Sequence, residues 1–314
     1  MTTVVVLAGG LTHERDVSLR SGRRVAQALR GQGAEVTELD VSSSLLARLA
    51  DLGSPVVVPV LHGGAGEDGA LRQALEVAGV AFVGSPAAAS RVAFDKSISV
   101  PVVAAAGIRT PRQVALPDDM FRELGAAELV RSIGQHLGFP VMVKPARGGS
   151  ALGASKVEHV EELPAAMVQA YAYGPVVVVE EFVTGTEVAV TVVDTGDGPQ
   201  ALPAVEIRPD SGVYDYEARY TAGATRFLAP AELSEEAAAA CADLAVSAHR
   251  ELGLRDLSRI DIIVGEDGPV FIEANVAPGM TETSTLPLAV QASGQELGAL
   301  MTRLVEQAAA RGAR

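Results

Sequence analysis

Across residues 1–92, short runs that are apolar throughout alternate with amphipathic stretches, and few architectures accept that alternation. "TVVVLAGG" reads as a strand and Asp16 to Arg30 as a helix, then "VVVPVLHGG" as a strand and Asp68 to Ala78 as a helix. Strand and helix in turn imply a parallel α/β sheet. Ligands of such sheets sit beyond the carboxyl ends of the strands. Two polar loops lie there, "GGLTHER" at 9–15 and "HGGAGEDG" at 62–69. A dinucleotide-binding reading fails on spacing, because "LAGGLTHE" lacks the G-x-G-x-x-G pattern.

From residue 93 the pattern changes. A helix is expected over Glu123 to Leu137, then a strand at "FPVMVKP", a glycine-rich loop, "ASKVEHV", and a strand at "PVVVVEEFV". The last part opens with the strand "EVAVTVV" and an irregular stretch near 208–230. A long helix (Ser234 to Leu252), two strands and a C-terminal helix follow, the last opened by a capping-box pattern from Ser293 to Glu296. The expected fold is α/β followed by mixed α+β, divided at 1–92, 93–180 and 181–314.

Composition excludes some partners. With 48% hydrophobic and 20% charged residues in 314, the chain is ordinary for a soluble globular protein. No apolar run approaches the roughly 20 residues of a membrane span, and "MTTVVVLAGG" lacks the basic start of a signal peptide. A single cysteine, Cys241, excludes an internal disulfide framework and is expected in the core. The expected location is the cytoplasm. A net charge of -14 argues against nucleic acid. Anionic small molecules remain open, since local cations and backbone N–H groups hold them.

Lysine usage points to where such an anion sits. Of 25 basic residues only Lys96, Lys144 and Lys156 are lysines, and two lie within the glycine-rich stretch "VMVKPARGGSALGASKV" (141–157). Glycine in "ARGGSALG" would also suit an ordinary hairpin. Against that, Lys144 leaves a strand just before Gly148, Gly149 and Gly153, which let N–H groups approach a phosphate. Lysine is a compact point charge suited to one phosphate oxygen, whereas arginine is a planar fork. No G-K-[ST] follows, so the loop is not a Walker A motif.

The second chemical segment is "SRIDIIVGEDGPVFIEAN" (258–275). Alternation puts Arg259 and Asp261 on one face of a strand, and Glu273 and Asn275 on one face of the next. Hard oxygen ligands with a neutral amide suit Mg²⁺ bridging phosphates; a solvated face with an incidental Arg–Asp pair is the alternative. A two-residue turn at Asp267-Gly268 would put Asp261 and Glu273 on opposite faces, so shared chemistry requires an odd loop or a bulge.

Together "VVVLAGGLTHERDVSLRSG", "LHGGAGEDGALRQALEVAGVAFVGS", "FDKSISV", "FPVMVKPARGGSALGASKV", "YDYEARY", "SRIDIIV" and "FIEANVAPGMTETS" resemble the D-alanine–D-alanine ligases of the ATP-grasp superfamily, nearly end to end. The resemblance implies an ATP-grasp fold behind a Rossmann-like N-terminal domain. It also implies ATP, two Mg²⁺ ions (Mn²⁺ able to substitute), two D-alanines as substrates and a homodimer. Lys96, Lys144, Gly149 and the backbone of Ser150 are then expected at the phosphates. Glu180 and Val183 fall at adenine and Glu187 at ribose, with Glu181 also at the nucleotide, and Asp261, Glu273 and Asn275 at the metals.

Arg259 and the Gly279 N–H are expected to stabilise an oxyanion. Glu14 would take the first substrate's ammonium with His62 close by, and Ser284 the second substrate's carboxylate. Glu14, Ser150 and Tyr220 would link the N-terminal domain, the phosphate loop and a lid near 208–230 that carries Arg219. Read alone, Glu14 is equally a helix-start acid, Tyr220 a loop aromatic and His62 a strand-end histidine. The chain departs from the family pattern at Arg219 (usually lysine), Gly148 (commonly an acid), Glu282, Thr283 and Thr285, the last three beside the second-substrate pocket. Two alternatives stay open: a related ATP-grasp ligase with another second amino or hydroxy acid, and a nucleotide-binding homologue without catalysis.

Overall fold

The structure, a computed structural model, describes residues 3–53, 55–210, 212, 214, 221 and 223–312. The N-terminal alternation folds as expected. Strands β1 (Val4–Leu7), β2 (Val36–Leu39) and β3 (Val56–Pro59) form a parallel sheet in the order β2-β1-β3. The helix Arg15–Gly31 returns the chain from β1 to β2. All residues of β1 and β3 are buried, which is why these strands show no polar alternation.

The second sheet, β4-β7-β5-β6, is antiparallel and built from β4 (Gln113–Pro117), β5 (Val141–Pro145), β6 (Ser155–Val157) and β7 (Val176–Glu181). The expected helix from Glu123 to Leu137 is two helices, Asp118–Glu123 and Ala126–Leu137. Gly125, at φ 83°, breaks the run, a conformation that costs glycine little. The short helices Ala87–Phe94 and Lys96–Ala105 had no counterpart in the sequence reading; alanine-rich stretches with Pro101 inside give only a weak helical pattern.

The third sheet is formed by β8 (Thr186–Val193), β9 (Gln200–Ala201), β10 (Val205–Pro209), β11 (Thr225–Leu228), β12 (Leu257–Gly265) and β13 (Gly268–Asn275). Its order is β11-β10-β8-β12-β13, with β9 paired to β8. β11 falls inside the stretch expected to be irregular and pairs with β10. The long helix Glu235–Glu251 starts at Ser234, whose side chain accepts from the Ala237 N–H, and it buries Cys241.

The capping box expected from Ser293 to Glu296 is absent. Ser293 instead closes the helix Thr285–Ala292, and Glu296 precedes Leu297–Arg311 without a side-chain cap bond. The last two helices pack on the N-terminal sheet: Val4, Val6 and Val58 share one core with Leu286, Met301 and Leu304. The second sheet has a core of its own, around Val141, Leu163 and Val179.

Candidate active site

A pocket of about 470 Å³ opens between the second and third sheets. Lys96, Lys144, Gly148 and Gly149 line it from one side, the connection Glu181–Thr186 from the end, and Asp261 and Glu273 from the other. The expected phosphate, adenine, ribose and metal residues thus meet in one cavity, except that Ser150 and Asn275 do not line it.

β-sheet geometry explains the first pair. Met142 on β5 lies opposite Glu180 on β7, so Lys144, two residues on, is a diagonal neighbour on the same face. Its Nζ lies 2.6 Å from Glu180 Oε1, and both side chains are nearly buried. The other carboxylate oxygen, Glu180 Oε2, is buried with no hydrogen-bond partner among the described residues. Leaving such an oxygen unmatched is costly.

Lys96 opens the helix Lys96–Ala105 and reaches across the cavity, donating to the Gly148 carbonyl at 2.9 Å and pairing with Glu273 Oε2 at 3.1 Å. The glycine-rich loop connects antiparallel β5 and β6, as expected. At its crest Ser150 and Ala151 hold left-handed φ values of 58° and 55°, a strain typical of functional loops. Ser150 Oγ donates to Glu14 Oε1 at 2.6 Å, so two members of the expected triad meet. Arg219 and Tyr220, with most of 211–222, lie outside the described residues.

The hairpin settles the parity question. Gly265 pairs with Gly268, giving a two-residue turn at Glu266-Asp267, one residue earlier than the turn considered from the sequence. That register alone would set Asp261 opposite Ile272. A bulge between Asp261 and Ile262 in the ladder shifts it, and Asp261 pairs directly with Glu273, Arg259 with Asn275. Arg259 grips Asp261 through two bonds of 2.7 Å. Burial works against the guanidinium's charge, but the Asp261 carboxylate, with Glu273 beyond it, holds its pKa above the usual value.

Asp261 and Glu273 present oxygens only, and their charge is met here by Arg259 and Lys96. Among the described residues no group of three acidic, histidine or cysteine side chains is arranged to hold a metal. The donors fit Mg²⁺ in its usual manner, one or two carboxylates completed by phosphate oxygens. Asn275 Oδ1 already accepts the Ala277 N–H at 2.8 Å.

The remaining candidates lie where the N-terminal sheet meets the segment after β13. His62 is buried, with Nε2 3.0 Å from Ser21 Oγ and Nδ1 2.9 Å from the Ala277 carbonyl. Burial lowers its pKa, although Glu14 and the Ala277 carbonyl act in the opposite direction. Ser284 precedes the helix Thr285–Ala292 without a side-chain cap bond, and its Oγ accepts the Thr281 N–H and lies 2.9 Å from Thr281 Oγ1. Gly279 packs so closely that an added Cβ would lie 2.6 Å from Ser284 Oγ.

Sequence reading missed Arg147, Glu206 and Arg208 on the cavity wall. Arg147 pairs with Asp95, and Arg208 spans Glu206 and Glu232. The alternation in "VEIRP" was the available signal for the last two.

Known proteins resemble this chain in sequence and in fold. The family model for the D-ala D-ala ligase C-terminus matches residues 102–306. The chain is 39% identical to a D-alanine--D-alanine ligase of Desulforudis audaxviator (strain MP104C), over 96% of this chain and 97% of that one. It is also 39% identical to one of Bordetella petrii, over 98% and 92%. Among solved structures, the VanG D-Ala:D-Ser ligase from Enterococcus faecalis superposes with a TM-score of 0.85 at 27% identity, covering 98% of this chain and 99% of that one. The D-alanine--D-alanine ligase from Bacillus anthracis gives 0.84 at 28%, covering 99% and 98%. The fold, the lysine-flanked cavity and near full-length identity of this order converge, and the chain belongs to the D-alanine–D-alanine ligase family.

Proposed function

We propose that this chain joins two D-alanines at the expense of ATP, releasing ADP and phosphate. The observation that carries the reading is the cavity itself. One wall offers Lys96, Lys144, Gly148 and Gly149, the end wall the connection from Glu181 to Thr186, and the far wall the paired carboxylates Asp261 and Glu273. That set suits a nucleoside triphosphate, and the related Bacillus anthracis enzyme has been solved complexed with ATP.

In this reading ATP lies between segments 93–180 and 181–314, with 1–92 supplying the amino-acid floor. A carboxylate oxygen of the first D-alanine attacks the γ-phosphorus, and the bond to the ADP oxygen breaks. The second D-alanine's amine, having given up a proton, attacks the carbonyl carbon of the acyl phosphate, and phosphate leaves. Glu14 holds the first ammonium and Ser284 the second carboxylate. Arg259 and the Gly279 N–H face the oxyanion of the second step, where fixed donors are most effective. Mg²⁺, held by Asp261, Glu273 and Asn275, would neutralise phosphate charge. The product serves peptidoglycan assembly in the cytoplasm, and the enzyme acts as a homodimer.

A second reading, D-serine as the second substrate, is favoured by one feature. Glu282 is exposed beside Ser284 and only loosely paired with Arg24 at 3.5 Å, which leaves a polar rim near the expected carboxylate site. The VanG neighbour is described as a D-Ala:D-Ser ligase. Supplying D-alanine singly and with D-serine or D-lactate, with mass detection of products, separates the two. The main reading expects D-alanyl-D-alanine to predominate, and mixed dipeptide in excess would replace it.

A further inference from the structure

In the segment Ala277-Pro278-Gly279-Met280, every N–H but one is taken by a side chain. Asn275 Oδ1 takes the Ala277 N–H at 2.8 Å, and the Ala277 carbonyl lies 2.9 Å from His62 Nδ1. Ser21 Oγ takes the Met280 N–H at 3.1 Å, and Ser284 Oγ takes the Thr281 N–H at 3.1 Å. The preceding Val276 carbonyl accepts from Arg72 at 3.2 Å. Among the described residues, only the Gly279 N–H of this segment makes no hydrogen bond, Pro278 having none to give. From Val276 to Thr281, Gly279 is also the one residue that is not buried.

The proton positions follow from these partners. A carbonyl can only accept, so His62 carries its proton on Nδ1 and donates it to Ala277. Its Nε2 is then an acceptor, and Ser21 must donate its O–H there while its oxygen receives the Met280 N–H. Burial favours the neutral ring that this arrangement needs. One imidazole and one hydroxyl therefore close a loop around Gly279 from both sides.

We propose that Ser21 and His62 form a clasp whose task is to aim the Gly279 N–H at the carbonyl oxygen attacked in the second step. Both are positioning residues, and neither touches substrate. The inference rests on the ligase reading above. It gives His62, expected close by the first substrate's ammonium, a task of its own, since both ring nitrogens are engaged by the protein.

The two half-reactions separate the clasp from general damage. Exchange of the labelled β–γ bridging oxygen of ATP in the presence of D-alanine reads reversible acyl phosphate formation, which takes place at phosphorus. Dipeptide formation reads the step at the carbonyl. Ser21→Ala should slow dipeptide formation by about ten- to a hundredfold while isotope exchange and the KM for ATP stay near those of the unmodified enzyme. His62→Asn, which keeps a donor for Ala277 and loses the Ser21 bond, should do the same. The double variant should be no slower than the slower single one, since both changes cut one network.

If Ser21→Ala does not fold, Ser21→Cys keeps a weak donor in nearly the same volume and should show the same split on a smaller scale. Isotope exchange falling in parallel with dipeptide formation would overturn the clasp, as would losses that multiply in the double variant. An unmodified enzyme that makes no dipeptide from D-alanine and ATP would instead overturn the ligase reading.

Discussion

Lys144 illustrates how one residue carries both chemistry and stability. Its ammonium is set against Glu180 in a nearly buried pair, and breaking such a pair from one side typically costs about 3–5 kcal/mol. Lys144→Ala is therefore expected to abolish ATP turnover and also to lower the unfolding free energy by about 3 kcal/mol. Lys144→Met combined with Glu180→Gln should recover most of that stability and none of the activity; near-normal turnover in either variant contradicts the phosphate role. The sequence made the lysine conspicuous through its rarity, but not its cost, because Glu180 is separated from it by the whole of the loop, β6 and a helix.

Glu67 offers a second test at this scale. Burial, reinforced by Glu14, raises its pKa from the ordinary 4.5 to about 7, against the Gly63 N–H, Arg259 and Arg72. The folded chain thus holds a proton that the unfolded chain has released. Stability from this source is complete below about pH 4.5 and is lost as pH rises through about 7. Glu67→Gln should flatten that part of the stability profile in urea titrations across the window. An unchanged slope would show that Glu67 is ionised in the fold throughout.

At the scale of elements, the β12–β13 hairpin shows what parity can and cannot reveal. The polar residues at 259, 261, 273 and 275 demanded an odd offset, and the structure supplies it as a bulge. Sequence alternation alone did not say whether the loop or the ladder would provide it. Long-range closures were less legible still: Ser21 meets His62 across 41 residues and His62 meets Ala277 across 215. No local pattern encodes such partners. The same holds for Asp256, fully buried just before β12, which receives two bonds from Arg311 and one from the Gly84 N–H. This cluster joins the N-terminal sheet, the strand carrying Arg259 and the last helix. Arg311→Ala should destabilise the chain by about 3 kcal/mol by stranding a buried carboxylate. Adding Asp256→Asn, which tolerates the left-handed backbone at φ 64°, should recover part of that loss in chemical denaturation. No recovery would mean that the cluster acts through packing alone.

Over the whole molecule, the catalytic account depends on two seams, the cavity between the second and third sheets and the contact of the first sheet with the segment after β13. The N-terminal sheet shares a core with the last helices, and the second sheet packs on its own core. ATP is assigned to the seam between the second and third sheets, the amino acids to the seam with the first. The alternating N-terminal pattern and the glycine-rich hairpin were readable early because each is local. The seams were reached only through family resemblance, since residues from distant segments build them. The most direct measurement is the stoichiometry of products from the purified chain with Mg-ATP and D-alanine as sole amino acid. The account predicts one ADP, one phosphate and one D-alanyl-D-alanine per turnover, with D-alanine outcompeting D-lactate as second substrate near neutral pH and no turnover with L-alanine. ADP release without dipeptide, a predominant ester product in competition, or activity confined to L-amino acids would contradict it.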